Sequence, residues 1–395
     1  MKNTSLSLTI FISFFINSCA VSEDEIVNAS VYDCTMPVEA IGQDHPKHNQ
    51  YQAILEHMVS NGVPGVMMTV YDAKEQDGPW SGASGMADLK NRVEMKNCNI
   101  TRVGSTVKMF TAVTILQLVE EGKLHLDDKA EQYLSPGTMA NIENAHQATV
   151  GQLMQHSSGI YNYIVNPRFQ TASLNDPLKE WQPDELLSYA RGKSANFKVG
   201  TDVDYSNTNY IFLGEIIETI EGKPFYKVFE ERIFEPLQLT FTNFAAENPV
   251  PKNIVRGYID LYSKLEVTES TYYSGWDYYT ADGGLISNPY DLFLFLSAVI
   301  NKTIISEKSF ESMTDWKSPS NDDETFYGMG IFKMKTKFGD AYIHSGDAIG
   351  YAASMIYLPQ ADVFACWAVN GNYGKIDEHS QSLEAIELII EKITQ

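Results

Sequence analysis

The chain is 395 residues long, enough for two or three units of ordinary domain size, and its 44% hydrophobic and 20% charged content describes a folded globular protein. A formal charge of −22 argues against nucleic acid as a partner, because phosphate binding needs clustered lysine and arginine. The eight histidines and four cysteines lack the spacing of a metal site, so neither a metal nor any other cofactor is expected.

The N-terminus reads as an export signal: Lys2, an apolar run over 6–16, then the small residues Ser18, Cys19 and Ala20. The run is too short to span a membrane as a mature helix. Ile16-Asn17-Ser18-Cys19 resembles a bacterial lipobox, which implies an exported lipoprotein of the periplasm or cell envelope, anchored to the membrane only through lipid on Cys19. Ordinary cleavage near Ala20 is the alternative. Residues 1–19 are then the signal and 20–45 a polar tether. Cys366 lies inside an apolar strand, so Cys34 and Cys98 are the pair open to a disulfide, with three unpaired thiols as the other outcome.

An amphipathic helix is expected over 48–61, carrying Ile54, Leu55 and Met58, and a hairpin over 66–71 and 80–86 around the turn residues 75–78. After a polar passage over 90–99 comes a segment, 111–121, that is apolar on nearly every side and is followed by Gly122. A helix hydrophobic all round is a buried helix. Ser105 falls at its N-terminus, where free N–H groups and the helix dipole favour developing negative charge, and Lys108 lies one turn on along the same face. Further helices are expected over 149–156, 183–190, 210–221 and 225–233. The aromatic run 271–279 reads equally well as a groove lining or as a loop covering the core.

A helix over 288–300, four strand-like runs (327–334, 341–344, 352–358 and 363–370) and an amphipathic helix over 379–393 complete the chain. Strands at both ends with helices between predict an α/β (α+β) fold. Residues 46–99 and 281–395 form an antiparallel sheet flanked by helices, and 100–280 a mainly helical domain.

Two short motifs lie at the junctions of such a fold: Tyr205-Ser206-Asn207 just before the 210–221 helix, and His344-Ser345-Gly346 at a strand end. Each alone is ordinary loop chemistry. In this order and spacing with Ser105-x-x-Lys108, they resemble the motif set of the serine β-lactamase and penicillin-binding-protein superfamily. The branch is that of class C β-lactamases, D-alanyl-D-alanine carboxypeptidases and related esterases. Leu126-Asp127-Asp128, Glu235-Pro236-Leu237 and Gly283-Gly284-Leu285-Ile286-Ser287 are secondary landmarks of the same resemblance, which runs from about residue 54 to about 370.

The resemblance implies an acyl-enzyme on Ser105, formed from an amide or ester carbonyl, with D-amino-acid peptides, β-lactams or esters as the substrate class. Neutral Lys108, or a Tyr205 phenolate beside it, would take the proton, and Tyr205 would return it to the leaving group. Asn207 would bind the substrate's side amide, and His344 would support Tyr205 electrostatically. The backbone N–H groups of Ser105 and Asp347 would hold the oxyanion, with His344, Ser345 and Gly346 along the substrate. Class C enzymes usually carry Lys-Thr-Gly as the third motif; His344-Ser345-Gly346 matches the carboxypeptidase and esterase members. No arginine follows Arg256, so a carboxypeptidase would have to use Lys333, Lys335 or hydroxyls for its substrate's terminal carboxylate.

Overall fold

Eight antiparallel strands, drawn from both ends of the chain, form the sheet on which the molecule is built. The computed structural model describes residues 32–395 apart from positions 76 and 274, so the expected export signal, Cys19 and the first part of the tether lie outside the described residues. The N-terminal strands are β1 (Gly65–Asp72), β2 (Trp80–Asp88) and β3 (Val93–Glu94). The C-terminal ones are β4 (Thr325–Tyr327), β5 (Phe332–Thr336), β6 (Gly339–Ala348), β7 (Tyr351–Leu358) and β8 (Val363–Val369). Their order is β3-β2-β1-β8-β7-β6-β5-β4, and the two ends of the chain meet where β1 pairs with β8, from Val66 opposite Val369 to Asp72 opposite Val363.

Five longer helices pack around the sheet: α1 (His48–Ser60), α2 (Val107–Glu120), α3 (Asn207–Glu221), α4 (Pro289–Ile300) and α5 (Leu383–Ile393). Successive side chains of a strand point to opposite faces, and β1 and β8 are apolar on both because both faces are covered. Val66, Met68, Val70, Ala365 and Trp367 pack with Ile54 and Leu55 of α1 and with Ile389 and Ile390 of α5. Met67, Phe364, Cys366 and Ala368 share the other core with Leu292, Phe295 and Leu296 of α4 and with α2.

Two expected elements are divided. The run 327–334 contains a turn between β4 and β5, because Gly330 takes φ +71° and passes so close to α2 that a Cβ there would lie 2.6 Å from that of Ala112. The expected helix over 379–393 breaks where the Ser382 hydroxyl accepts from the Ala385 N–H at 3.1 Å, starting α5 afresh. Cys34 and Cys98 form a disulfide with Cα atoms 5.8 Å apart, and Cys366 is buried and unpaired.

Helix α2 is buried at every position from Val107 to Leu116, and Phe110 stacks on Phe295 of α4 with ring centroids 3.6 Å apart. This packing fixes the turn that precedes the helix. Phe110→Ala removes a fully buried ring and should cost about 3–5 kcal/mol, read as a lowered denaturant midpoint in equilibrium unfolding.

Candidate active site

Ser105 sits in a single 3₁₀ turn, Gly104–Thr106, that runs directly into α2. The turn lies backbone to backbone against β6. Gly104 has φ +50°, and a Cβ on it would be 2.6 Å from the Asp347 nitrogen; a Cβ on Gly346 would be 2.0 Å from the Val103 oxygen and 2.6 Å from the Ser105 nitrogen. Only glycine permits that approach. It sets the backbones of Ser105 and Asp347 on two touching segments, and both residues line the same cleft.

Lys108 has no exposed surface. Its Nζ lies 2.9 Å from Ser105 Oγ and donates to the Asp282 carbonyl at 2.5 Å. It also stands 5.1 Å from the Tyr205 ring centre and 5.5 Å from that of Tyr210. Burial disfavours the charged amine and brings its pKa down to about 8, against the opposing pull of Asp282 and Asp277. The Tyr205 hydroxyl meets Ser105, and burial holds it well above the ordinary phenol range, so the phenol keeps its proton at neutral pH. Of the two bases weighed from the sequence, the amine is therefore the one that deprotonates first.

Asn207 is the first residue of α3, and its side chain donates to Asn162 Oδ1 at 3.3 Å. His344 is buried in β6 with Nδ1 2.8 Å from the Ser345 carbonyl, so Nδ1 carries the proton. Desolvation, with Lys108 adding to it, brings its pKa down to about 3. His344 thus offers Tyr205 a dipole and not a charge. The Phe332 ring stands near both, 5.2 Å from His344 and 6.1 Å from Tyr205. The Ser345 hydroxyl shares a hydrogen bond of 2.9 Å with Ser354 on β7. Asp347 projects at the cleft mouth, where enclosing walls raise its pKa and Asn372 and Gln381 contact its carboxyl.

These residues converge on a cleft of about 760 Å³ lined by Ser105, Tyr205, Asn207, His344, Ser345 and Asp347, with Gly346 behind Ser105. Lys333 and Lys335 stay outside it: Lys333 lies over the Phe326 ring at 4.4 Å, and Lys335 donates to the Asp323 carbonyl. The aromatic run does both things expected of it, since Trp276 lines the cleft while Tyr278 is buried against Arg102.

Sequence reading missed four residues. Asn162 donates to the Tyr205 carbonyl at 3.2 Å and accepts from the Asn207 N–H at 3.2 Å, clamping the Tyr205 turn. His156 accepts from the Ser206 N–H at 3.1 Å, and its ring lies 4.5 Å from that of Tyr205. Asp277 and Asp282 are buried and line the cleft. In the sequence Asn162 looks like any turn asparagine, and nothing there marks it as a site residue.

A nucleophile, a base that is neutral over part of the physiological range and paired backbone donors in one cleft define the site of a serine hydrolase. The chain belongs to the Beta-lactamase family, whose model matches residues 51–386. It is 27% identical over 330 residues to Penicillin-binding protein 4* of Bacillus subtilis, covering 80% of this chain and 69% of that one. Other curated relatives it matches are spanned over 44% and 57% of their length. The crystal structure of a D-stereospecific amidohydrolase from Streptomyces sp. superposes with a TM-score of 0.73 at 29% identity, covering 85% of this chain and 99% of that chain. The D-amino acid amidase from Ochrobactrum anthropi SV3 shares the fold, with a TM-score of 0.75 at 24% identity over 87% of this chain and 97% of its own.

The contact between Gly346 and the nucleophile turn yields a test. Gly346→Ala should lower kcat/KM for a reactive ester about 100-fold by pushing β6 off Ser105, while circular dichroism shows the fold retained.

Proposed function

We propose that the protein is an exported serine amidohydrolase that acts on D-amino-acid amides or peptides through an acyl-enzyme on Ser105. The observation that carries the reading is the 2.9 Å contact between a buried amine with a pKa of about 8 and a hydroxyl at the floor of an open cleft. Neutral Lys108 takes the Ser105 proton as Oγ attacks the carbonyl, and the resulting oxyanion lies between the Ser105 and Asp347 N–H groups. Tyr205 passes a proton to the departing nitrogen and recovers one from the protonated Lys108 amine, which stands 5.1 Å from its ring centre. Asn207 holds the substrate's side amide, His344 keeps the wall of the cleft uncharged beside Lys108, and water then releases the acyl group.

Within the range from carboxypeptidase and β-lactamase to esterase, the amidase reading has two supports. One is the likeness to the D-stereospecific amidohydrolase. The other is a cleft lining without arginine or lysine to bind a terminal carboxylate. Export, with a lipid on Cys19, remains part of the proposal; the Cys34–Cys98 disulfide supports an oxidising compartment.

Acylation should follow the deprotonated amine. Its rate should rise with pH to a plateau with a midpoint near 8, falling roughly tenfold per pH unit below it, as read from the burst of p-nitrophenol from p-nitrophenyl acetate. Ser105→Ala should lower steady-state hydrolysis of D-phenylalanine amide by at least about 10,000-fold. A stoichiometric burst without turnover on any amide or ester would replace the hydrolase with a penicillin-binding sensor.

A further inference from the structure

Three carboxylates line the cleft, Asp277, Asp282 and Asp347, and among the described residues no lysine or arginine lines it. Asp277 and Asp282 are each only 4% exposed, and Arg102 and Lys108 serve them as counter-charges. Asp347 differs in being exposed, so its carboxylate faces whatever enters. Pairing of β5 with β6 ends at Phe332 opposite Ile343, which leaves residues 344–348 without a neighbouring strand on that side. His344, Ser345, Asp347 and Ala348 line the cleft there. Side chains two apart on a strand share a face, so the Asp347 carboxylate follows the Ser345 hydroxyl along this edge.

A structural role does not neutralise this carboxylate. Its partners are the neutral side chains of Asn372 and Gln381, and no ion pair reaches it among the described residues. Asn372 is engaged in closing the β6–β7 turn: its Nδ2 donates to the carbonyls of Ala348 and Tyr351 at 3.0 and 3.2 Å, and its Oδ1 accepts from the Gly350 N–H at 2.8 Å. Gln381 Nε2 donates to Asp377 Oδ1 at 3.0 Å. Asp377 is itself an acid, pushed up to about 6 by burial and then by the charge of Asp347. The same charge adds to burial in holding up the pKa of Tyr205, the phenol that serves the leaving group.

Resting on the serine amidohydrolase reading, we infer that Asp347 is a specificity residue that turns away substrates whose leaving half carries a carboxylate next to the scissile bond. The N–H that holds the oxyanion in that reading belongs to the same residue, so the side chain stands close to the reacting carbonyl. Like charges about 6 Å apart, at the effective dielectric of a protein surface, weaken an interaction roughly 100-fold. Primary amides, and peptides whose end is amidated, carry no such charge and are accepted. The cleft thus does more than lack a cation for a terminal carboxylate: it repels one, which is discrimination by an added unfavourable contact.

The test gives the full chain two thioesters, acetylthioglycolic acid and acetylthioglycolamide, which differ in the charge of the leaving group and hardly in its shape. Thiol release is followed at about pH 8, near the Lys108 midpoint, in wild type, Ser105→Ala, Asp347→Asn and Asp347→Ser. Wild type should prefer the carboxamide about 100-fold in kcat/KM. Asp347→Asn and Asp347→Ser should each shrink that preference at least about tenfold, a ratio insensitive to the amount of folded enzyme. Ser105-dependent hydrolysis of both thioesters at equal kcat/KM overturns the inference alone. So does a preference that survives in both Asp347 variants, which would mean that the cleft merely lacks a cation, and so does loss of both activities in both variants. Enzymatic hydrolysis that persists in Ser105→Ala, or no hydrolysis of either thioester by wild type, overturns the amidohydrolase reading and the inference with it.

Discussion

Burying an amine without an ionised partner in contact is the constraint on which this molecule depends. Lys108 has no exposed surface, is surrounded by the walls of α2 and the rings of Tyr205 and Tyr210, and makes its two polar contacts with a hydroxyl and a carbonyl. Neither contact carries a full charge, so desolvation outweighs the distant pull of Asp282 and Asp277. With a pKa of about 8, roughly one amine in ten is neutral at pH 7; at the ordinary lysine value it would be fewer than about one in a thousand. That difference separates a base from a spectator. It is maintained by apolar packing remote from the chemistry, including the Phe110–Phe295 stack.

The second requirement is that distant segments meet with little tolerance. Gly104 and Gly346 let two backbones touch, and Gly330 lets the β4–β5 turn pass against α2. The β1–β8 pairing closes the sheet and so holds β6 in register with the nucleophile turn. Asn162 and His156 fix the Tyr205 turn by hydrogen bonds to its backbone, leaving the phenol free to face Ser105. Stability and reactivity are thus carried by different residues at the same place: glycines and amides set distances, while burial sets proton affinities.

Much of this was legible in the sequence because it is written locally. An all-apolar helix behind Ser105, glycine after it and strands at both ends follow from periodicity, and the order of three short motifs suggested which loops would meet. What was not legible arises only when segments come together. Asp277 and Asp282 sit among tyrosines and glycines, where nothing marks a carboxylate as buried, and the acidity of the cleft appears only once their loop folds against Lys108. Asn162 is indistinguishable from a turn residue until α3 docks on it. The β4–β5 turn escaped because Gly328 and Gly330 interrupt an apolar run whose periodicity alone gives no sign of a reversal. Sequence reading gave His344 a supporting role that burial reduces to that of a neutral imidazole.

The proton affinity of Lys108 is the quantity to measure. With its side chain isotopically labelled and assigned by a Lys108→Met control, an NMR titration of the resting enzyme should show the Lys108 Cε and Nζ resonances moving with a midpoint near pH 8. A midpoint near the ordinary value of 10.5 would mean that burial does not make this lysine a base, and would contradict the activation of Ser105 set out above.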